Sequence, residues 1–211
     1  MVNNLKLYYV DMKYIRDLHN ADNNVMSVSP QTGKDTRPFI GIILILNSKK
    51  YCIPLTSGNK EKFSHKNNAL DFIKIPDLGK KNENGAFVTL GGLNINNMIP
   101  VDDTLISPLQ LKINSNDPLQ LQREKNRLTK ELDWCQKNKD LIIKRANSVY
   151  TLRTNYPDKN RNLTRRCCDF KKLEEVMYRY LGKGKTHEIP TVRLPKKKPP
   201  MPDPPKSRGR R

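Results

Sequence analysis

This 211-residue chain is short of acidic residues relative to basic ones, and has few histidines and no long apolar run. Only 21 Asp and Glu stand against 40 Lys and Arg, a formal charge of +19. A fold gains nothing from that imbalance, because self-repulsion destabilises the compact state. Its natural use is to hold a polyanion, nucleic acid first. A solubility tail or an anionic membrane surface accounts for some of the same charge. The longest apolar run, Phe39–Leu46, is far too short to span a bilayer. Met-Val-Asn-Asn-Leu-Lys at the start lacks the apolar segment of a secretion signal, so a cytoplasmic location is expected. The four cysteines, Cys52, Cys135, Cys167 and Cys168, form no CxxC pair, which argues against zinc; reduced thiols serving as small apolar residues are expected. His19, His65 and His187 are scattered, and only His65 is placed near other candidate groups. No metal or cofactor is expected.

What is present divides the chain in two. Lys6–Val10 reads as a strand, and Asp11 caps a helix over Met12–His19 with Tyr14, Ile15 and Leu18 on one face. Residues 20–36 are a polar loop. Phe39–Asn47 and Lys50–Leu55 read as a hairpin turning at Asn47-Ser48-Lys49, followed by an exposed loop over Thr56–Asn68. Ala69–Ile75, Ala86–Leu90 and Asn97–Val101 add strands, the last two separated by Gly91-Gly92. From Asp117-Pro118 an apolar stripe of Leu121, Leu128, Leu132, Cys135, Ile142, Ala146 and Val149 predicts a long helix kinked near Asn138. Asp169 caps a last helix, Phe170–Leu181, stopped by Gly182. The expectation is an α+β fold: one domain over residues 1–187, with a small, antiparallel, barrel-like β core at about 5–115 and helices at about 117–181. The Pro- and Lys-rich tail, residues 188–211, is expected to be disordered.

Several stretches, in order, carry a resemblance. They are Tyr8-Tyr9 with Lys13-Tyr14-Ile15; Arg37-Pro38-Phe39-Ile40-Gly41-Ile42; Tyr51 through Pro54-Leu55-Thr56-Ser57; and Asn97-Met98-Ile99-Pro100. Leu128…Glu131-Leu132…Asn138…Ile142…Ala146…Tyr150 and Asp169-Phe170…Leu173-Glu174-Glu175 complete the set. Together, over residues 5–181, they resemble the ToxN/AbiQ toxins of bacterial type III toxin–antitoxin systems. The resemblance implies a MazF/Kid-like β core and metal-independent cutting of single-stranded RNA to 2′,3′-cyclic phosphate ends. It also implies a small antitoxin RNA of pseudoknot repeats as inhibitor, processed by the toxin and bound in a closed protein–RNA assembly. Cellular and phage mRNA would be the substrates, in phage defence by abortive infection.

The residues support such chemistry on their own terms. Metal-free cleavage needs a proton acceptor for the 2′-hydroxyl, a donor for the 5′-oxygen, and cations or hydroxyls on the phosphate. In a hairpin, the end of one strand lies beside the start of the other. Arg37 and Lys34 are therefore expected across one rim from Thr56, Ser57 and Lys60, making these five the candidate catalytic residues. Arg37 matches a basic position of the family that is Lys elsewhere. Arg holds phosphate well but moves protons poorly, which leaves Lys34 or Lys60 for that task. Thr-Ser after a strand is also a common turn or cap, and the lysines could be solvated loop residues. Candidate RNA contacts are Tyr14, Phe63 and His65, and the helix cations Lys144, Arg145, Arg165, Arg166, Lys171 and Lys172. Two other readings use the same residues: a module that binds RNA without cutting it, and a nuclease toxin restrained by a protein antitoxin.

Overall fold

A computed structural model describes residues 5–26, 39–46, 48–57 and 68–182. Asp11 ends β1 (Leu7–Val10) and opens α1 (Met12–Ala21) by accepting from the Tyr14 amide at 2.7 Å. That bond satisfies one of the donors a helix N-terminus leaves open. The 14, 15, 18 spacing buries Tyr14, Ile15 and Leu18 completely. The next two strands, β2 (Phe39–Leu46) and β3 (Lys49–Ser57), form the expected hairpin, with rungs from Leu46↔Lys49 to Gly41↔Pro54. Ser48, with φ of 63°, takes the turn.

After β4 (Phe72–Lys81) and β5 (Phe87–Asn94), a 3-10 turn at Ile95–Asn97 leads into β6 (Ile99–Val101), and β7 (Ile106–Pro108) follows. The sheet has seven strands in the order β4-β5-β3-β2-β1-β7, with β6 paired to β3 off this path. The free edge of β3 is thus shared. Lys50–Cys52 pair with β6, and Leu55–Ser57 pair with β5. Pro54, which has no N–H to donate, falls in the gap between these two partners.

Four helices follow: α2 (Leu119–Lys137), α3 (Lys139–Asn155), α4 (Arg161–Arg166) and α5 (Phe170–Tyr180). Asn138 closes α2 and opens α3, the break expected from the stripe. Helix α2 packs on β4 and β5, α3 on β2, and α5 on α1 and β6. Leu128, Cys135, Ile142, Ala146 and Val149 meet the sheet's apolar face, where Ile42, Ile53, Ile73 and Leu93 are buried. Each fully buried aliphatic side chain contributes about 1.5–3 kcal/mol. Inside this core Glu174 accepts from the hydroxyls of Tyr51 at 2.6 Å and Tyr150 at 2.9 Å, and pairs with Lys49. Burial pushes the Glu174 pKa up, but the bonds from Lys49, Tyr51 and Tyr150 outweigh it and leave the carboxyl below its ordinary value.

Six features differ from the sequence expectation. The sheet is not closed into a barrel: among the described residues no rung joins β4 to β7, because two strands compete for the one edge of β3. Strand β5 runs straight through Gly91-Gly92. A Cβ on Gly92 would lie 2.6 Å from the Phe72 ring, so glycine here permits packing rather than a break. Strand β4 begins three residues later and runs six further than expected. Strand β7 and helix α4 are short and lack a readable period. Leu121, assigned to the buried stripe, is 38% exposed. Helix α2 starts at Leu119 with Pro118 as its cap, while Asp117 is held by Lys125 at 2.7 Å. The four cysteines are free and buried, and burial raises their thiol pKa values. No helix among the described residues is long and apolar enough to cross a membrane. The tail, residues 188–211, lies outside the described residues.

Candidate active site

The ladder between β2 and β3 brings the first residue of one strand beside the last residues of the other. Two positions beyond the Gly41↔Pro54 rung stand Phe39 on β2 and Thr56 on β3. Val10 of β1 pairs with Phe39 from the other side, so three strands fix this rim. Arg37, two residues before β2, lies outside the described residues, as do Lys34, Lys60, Phe63 and His65.

Thr56 and Ser57 do not follow β3 as a loop; they are its last two residues, paired with Gly92 and Gly91 of β5. Thr56 is only 8% exposed, which corrects the expectation of an open hydroxyl at this position. The reason is β5, whose pairing carries the strand two residues further than the apolar run suggested.

Against this rung sits a group the sequence analysis did not assign a role. Glu131 projects from α2 onto Gly91, and a Cβ added there would meet Glu131 Oε1 at 2.1 Å and the Thr56 carbonyl oxygen at 2.8 Å. Only glycine leaves room for the carboxyl. Glu131 is fully buried, and Arg127 Nη1 donates to its Oε1 at 2.6 Å. Its Oε2 is buried without a hydrogen-bond partner. Desolvation raises its pKa to about 7; Arg127 pulls the other way, and nearby Glu124 adds to the rise. The signal was readable: positions 128, 131 and 135 share one helical face, and an acid among Leu128 and Cys135 must be buried with them.

Tyr14, expected to touch RNA, is instead wholly buried. Its hydroxyl donates to the Pro100 carbonyl at 2.8 Å, and its ring packs on Tyr180 with centroids 5.3 Å apart. The hydroxyl joins α1 to β6 and offers no face to a base.

The helix cations fall into two groups. Lys144 and Arg165 are exposed on the surface. The other four also bond to the protein itself, although Arg166, Lys171 and Lys172 stay exposed as well. Arg145 Nη1 donates to the Ala69 carbonyl at 2.8 Å. Arg166 makes two bonds to the buried Asp71, at 2.5 and 3.0 Å, which raise its pKa further. Lys171 lies 5.4 Å from the Tyr150 ring centroid and 3.5 Å from Glu174, and Lys172 donates to the Ala21 carbonyl. Arg165 and Arg166 end α4 rather than lead α5, so Arg166 ties that helix to the turn before β4.

Residues 6–178 match the family described as toxin ToxN of type III toxin–antitoxin systems. The endoribonuclease ToxN of Pectobacterium atrosepticum is 30% identical over 179 residues, which cover 85% of this chain and 95% of that protein. Among solved structures, one concerns selective toxin inhibition by a non-coding RNA pseudoknot in type III toxin–antitoxin systems. It is 26% identical with a TM-score of 0.67, and the match covers 87% of this chain and 100% of the other. A second concerns a bacterial antiviral system regulated by a processed non-coding RNA; it is 26% identical with a TM-score of 0.61, over 85% of this chain and 99% of the other.

Proposed function

The chain belongs to the ToxN family of type III toxin–antitoxin endoribonucleases, and from that premise we propose that it cuts single-stranded RNA without a metal ion, leaving 2′,3′-cyclic phosphate ends. The observation that carries the reading is the shared rim, where the start of β2 lies beside the Thr56–Ser57 end of β3. In the reaction the 2′-oxygen attacks phosphorus, an O2′–P bond forms and the P–O5′ bond breaks. The 2′-hydroxyl proton passes to a base, and the leaving 5′-oxygen receives one from an acid.

Ser57 supplies a hydroxyl to the phosphate, and Arg37 supplies a fixed positive charge to the developing phosphorane. Lys60 or Lys34 moves the protons, since a lysine changes protonation far more readily than an arginine. Thr56 acts through its backbone rung with Gly92 rather than through a free hydroxyl. Glu131 positions the rung from behind by filling the space over Gly91. Lys144 and Arg165 grip RNA by its backbone.

The inhibitor is a small, folded antitoxin RNA that occupies the same rim, and the biological role is defence against phage. Both readings draw on the RNA-inhibited and antiviral relatives described above. The test is incubation of purified protein with RNA in EDTA. Cyclic-phosphate ends that disappear in Ser57→Ala are expected; intact RNA at high protein concentration would leave an RNA-binding module. Tandem repeats directly upstream of the gene, and an RNA of uniform length copurifying with the protein, are expected for an RNA antitoxin. An upstream reading frame in their place would indicate a protein antitoxin.

A further inference from the structure

Beside the rung lies a cleft of about 210 Å³ between β4, β5 and α2, walled by Trp134, Pro76, Leu78 and Leu90. It exists because β4 leaves its ladder. Register shifts fall between Ile75 and Pro76 and between Asp77 and Lys81, so Leu78, Gly79 and Lys80 have no partner on β5. Such bulges bend a strand away from its neighbour, and here the bend opens an apolar floor to solvent. Leu78 is 58% exposed as a result.

We propose that this cleft is a nucleobase pocket, taking the base of the substrate RNA strand next to the cut phosphate. The proposal rests on the nuclease reading above and adds to it a specificity site. Three observations carry it. Leu90, in the wall, directly precedes Gly91, the rung partner of Ser57, so an occupant lies one β5 residue from the proposed chemistry. The wall offers an indole and aliphatic surface to a flat ring, the arrangement on which unstacked bases are held. Charge is sorted at the mouth. Lys137 suits a flanking phosphate, while the carboxylates of Asp77 and Asp133 repel a phosphate but accept from an exocyclic amino group. Lys130 holds Asp77 at 3.3 Å, which leaves Asp133 as the acceptor. The pocket therefore favours a base that carries an amino group over uracil. A volume below the range of drug-sized sites suits one ring system.

Trp134 is the only tryptophan in the chain, so indole fluorescence reports this pocket alone. Uncleavable 2′-O-methyl hexanucleotides of adenine, cytosine or uracil are titrated into the full-length protein, and their inhibition of RNA cleavage is measured in parallel. Adenine and cytosine hexamers are expected to quench saturably over the range in which they inhibit, and uracil more weakly. Trp134→Ala is expected to raise KM for RNA on the order of tenfold, more than any fall in kcat, with Trp134→Phe restoring most of it. Lys137→Glu, on the exposed rim, gives a second variant that leaves the apolar floor intact and should also raise KM. Inhibition by hexamers with unchanged fluorescence would overturn the proposal, as would quenching confined to a folded inhibitor RNA. Failure of the wild-type protein to cut RNA would defeat the nuclease reading instead, and the quenching titration would still stand by itself.

Discussion

Replacing Glu131 by glutamine tests the electrostatics of the rung directly. The folded protein holds this carboxyl's pKa at about 7, against an ordinary value of 4.5, because burial disfavours its charge more than Arg127 favours it. Between pH 4.5 and 7 the unfolded chain has released that proton and the folded chain has kept it. The folded state binds more protons in that window, so stability falls as pH rises through it. Below 4.5 there is no penalty, and above 7 it is complete, at about 3 kcal/mol for one fully buried group. Glutamine has nearly the same shape and does not titrate. It carries a fixed cost for burying its amide where Oε2 now has no partner, but that cost is independent of pH.

The stability difference between Glu131→Gln and wild type should therefore move by about 3 kcal/mol in favour of the variant from pH 4.5 to pH 8. Urea unfolding at half-unit pH steps measures it, and groups that titrate alike in both proteins cancel in the difference. Parallel curves across this range would refute the argument. They would mean that the Arg127 bond at 2.6 Å fully offsets the desolvation of the carboxyl.

Two further substitutions address other parts of the structure. Glu174→Ala strips the acceptor from Lys49, Tyr51 and Tyr150 at once, and a loss of about 3–5 kcal/mol is expected by denaturant unfolding at pH 7. Because the folded carboxyl titrates below its ordinary value, its contribution to wild-type stability is present above pH 4.5 and is lost as pH falls through the lower folded pKa. Tyr14→Phe removes the donor to the Pro100 carbonyl and should lower stability by about 1 kcal/mol while leaving RNA affinity unchanged; weaker RNA binding without a change in melting temperature would return Tyr14 to the interface.

Local pattern carried much of the fold. The apolar run Phe39–Leu46, the caps at Asp11 and Asp169, and the break at Asn138 each depend on neighbours in sequence, and each element stands where its pattern puts it. What escaped depends on distant partners. Gly91-Gly92 reads as a break unless Phe72 and Glu131, from β4 and α2, are known to need that space. The Lys50–Leu55 strand stops at Leu55 unless β5 is known to pair with Thr56 and Ser57. Closure into a barrel cannot be judged from strand count, because it turns on β5 and β6 dividing one edge of β3.

The same division explains why the candidate site was only half legible. Hairpin geometry is local, so the rim shared by β2 and β3 follows from the turn at Ser48 alone. The support behind it is not. Residue 57 meets residue 91 across a ladder, and residue 131 closes over residue 91 from a helix that follows the last strand. Periodicity shows that Glu131 faces inward but not which strand it faces. A buried acid with one oxygen unpartnered is tolerated only where its surroundings hold it in place, and here they are the rung itself and Arg127. The buried charge and the strand end proposed to carry the chemistry therefore share one rung, so a change at Glu131 should disturb cleavage before it disturbs the Glu174 network.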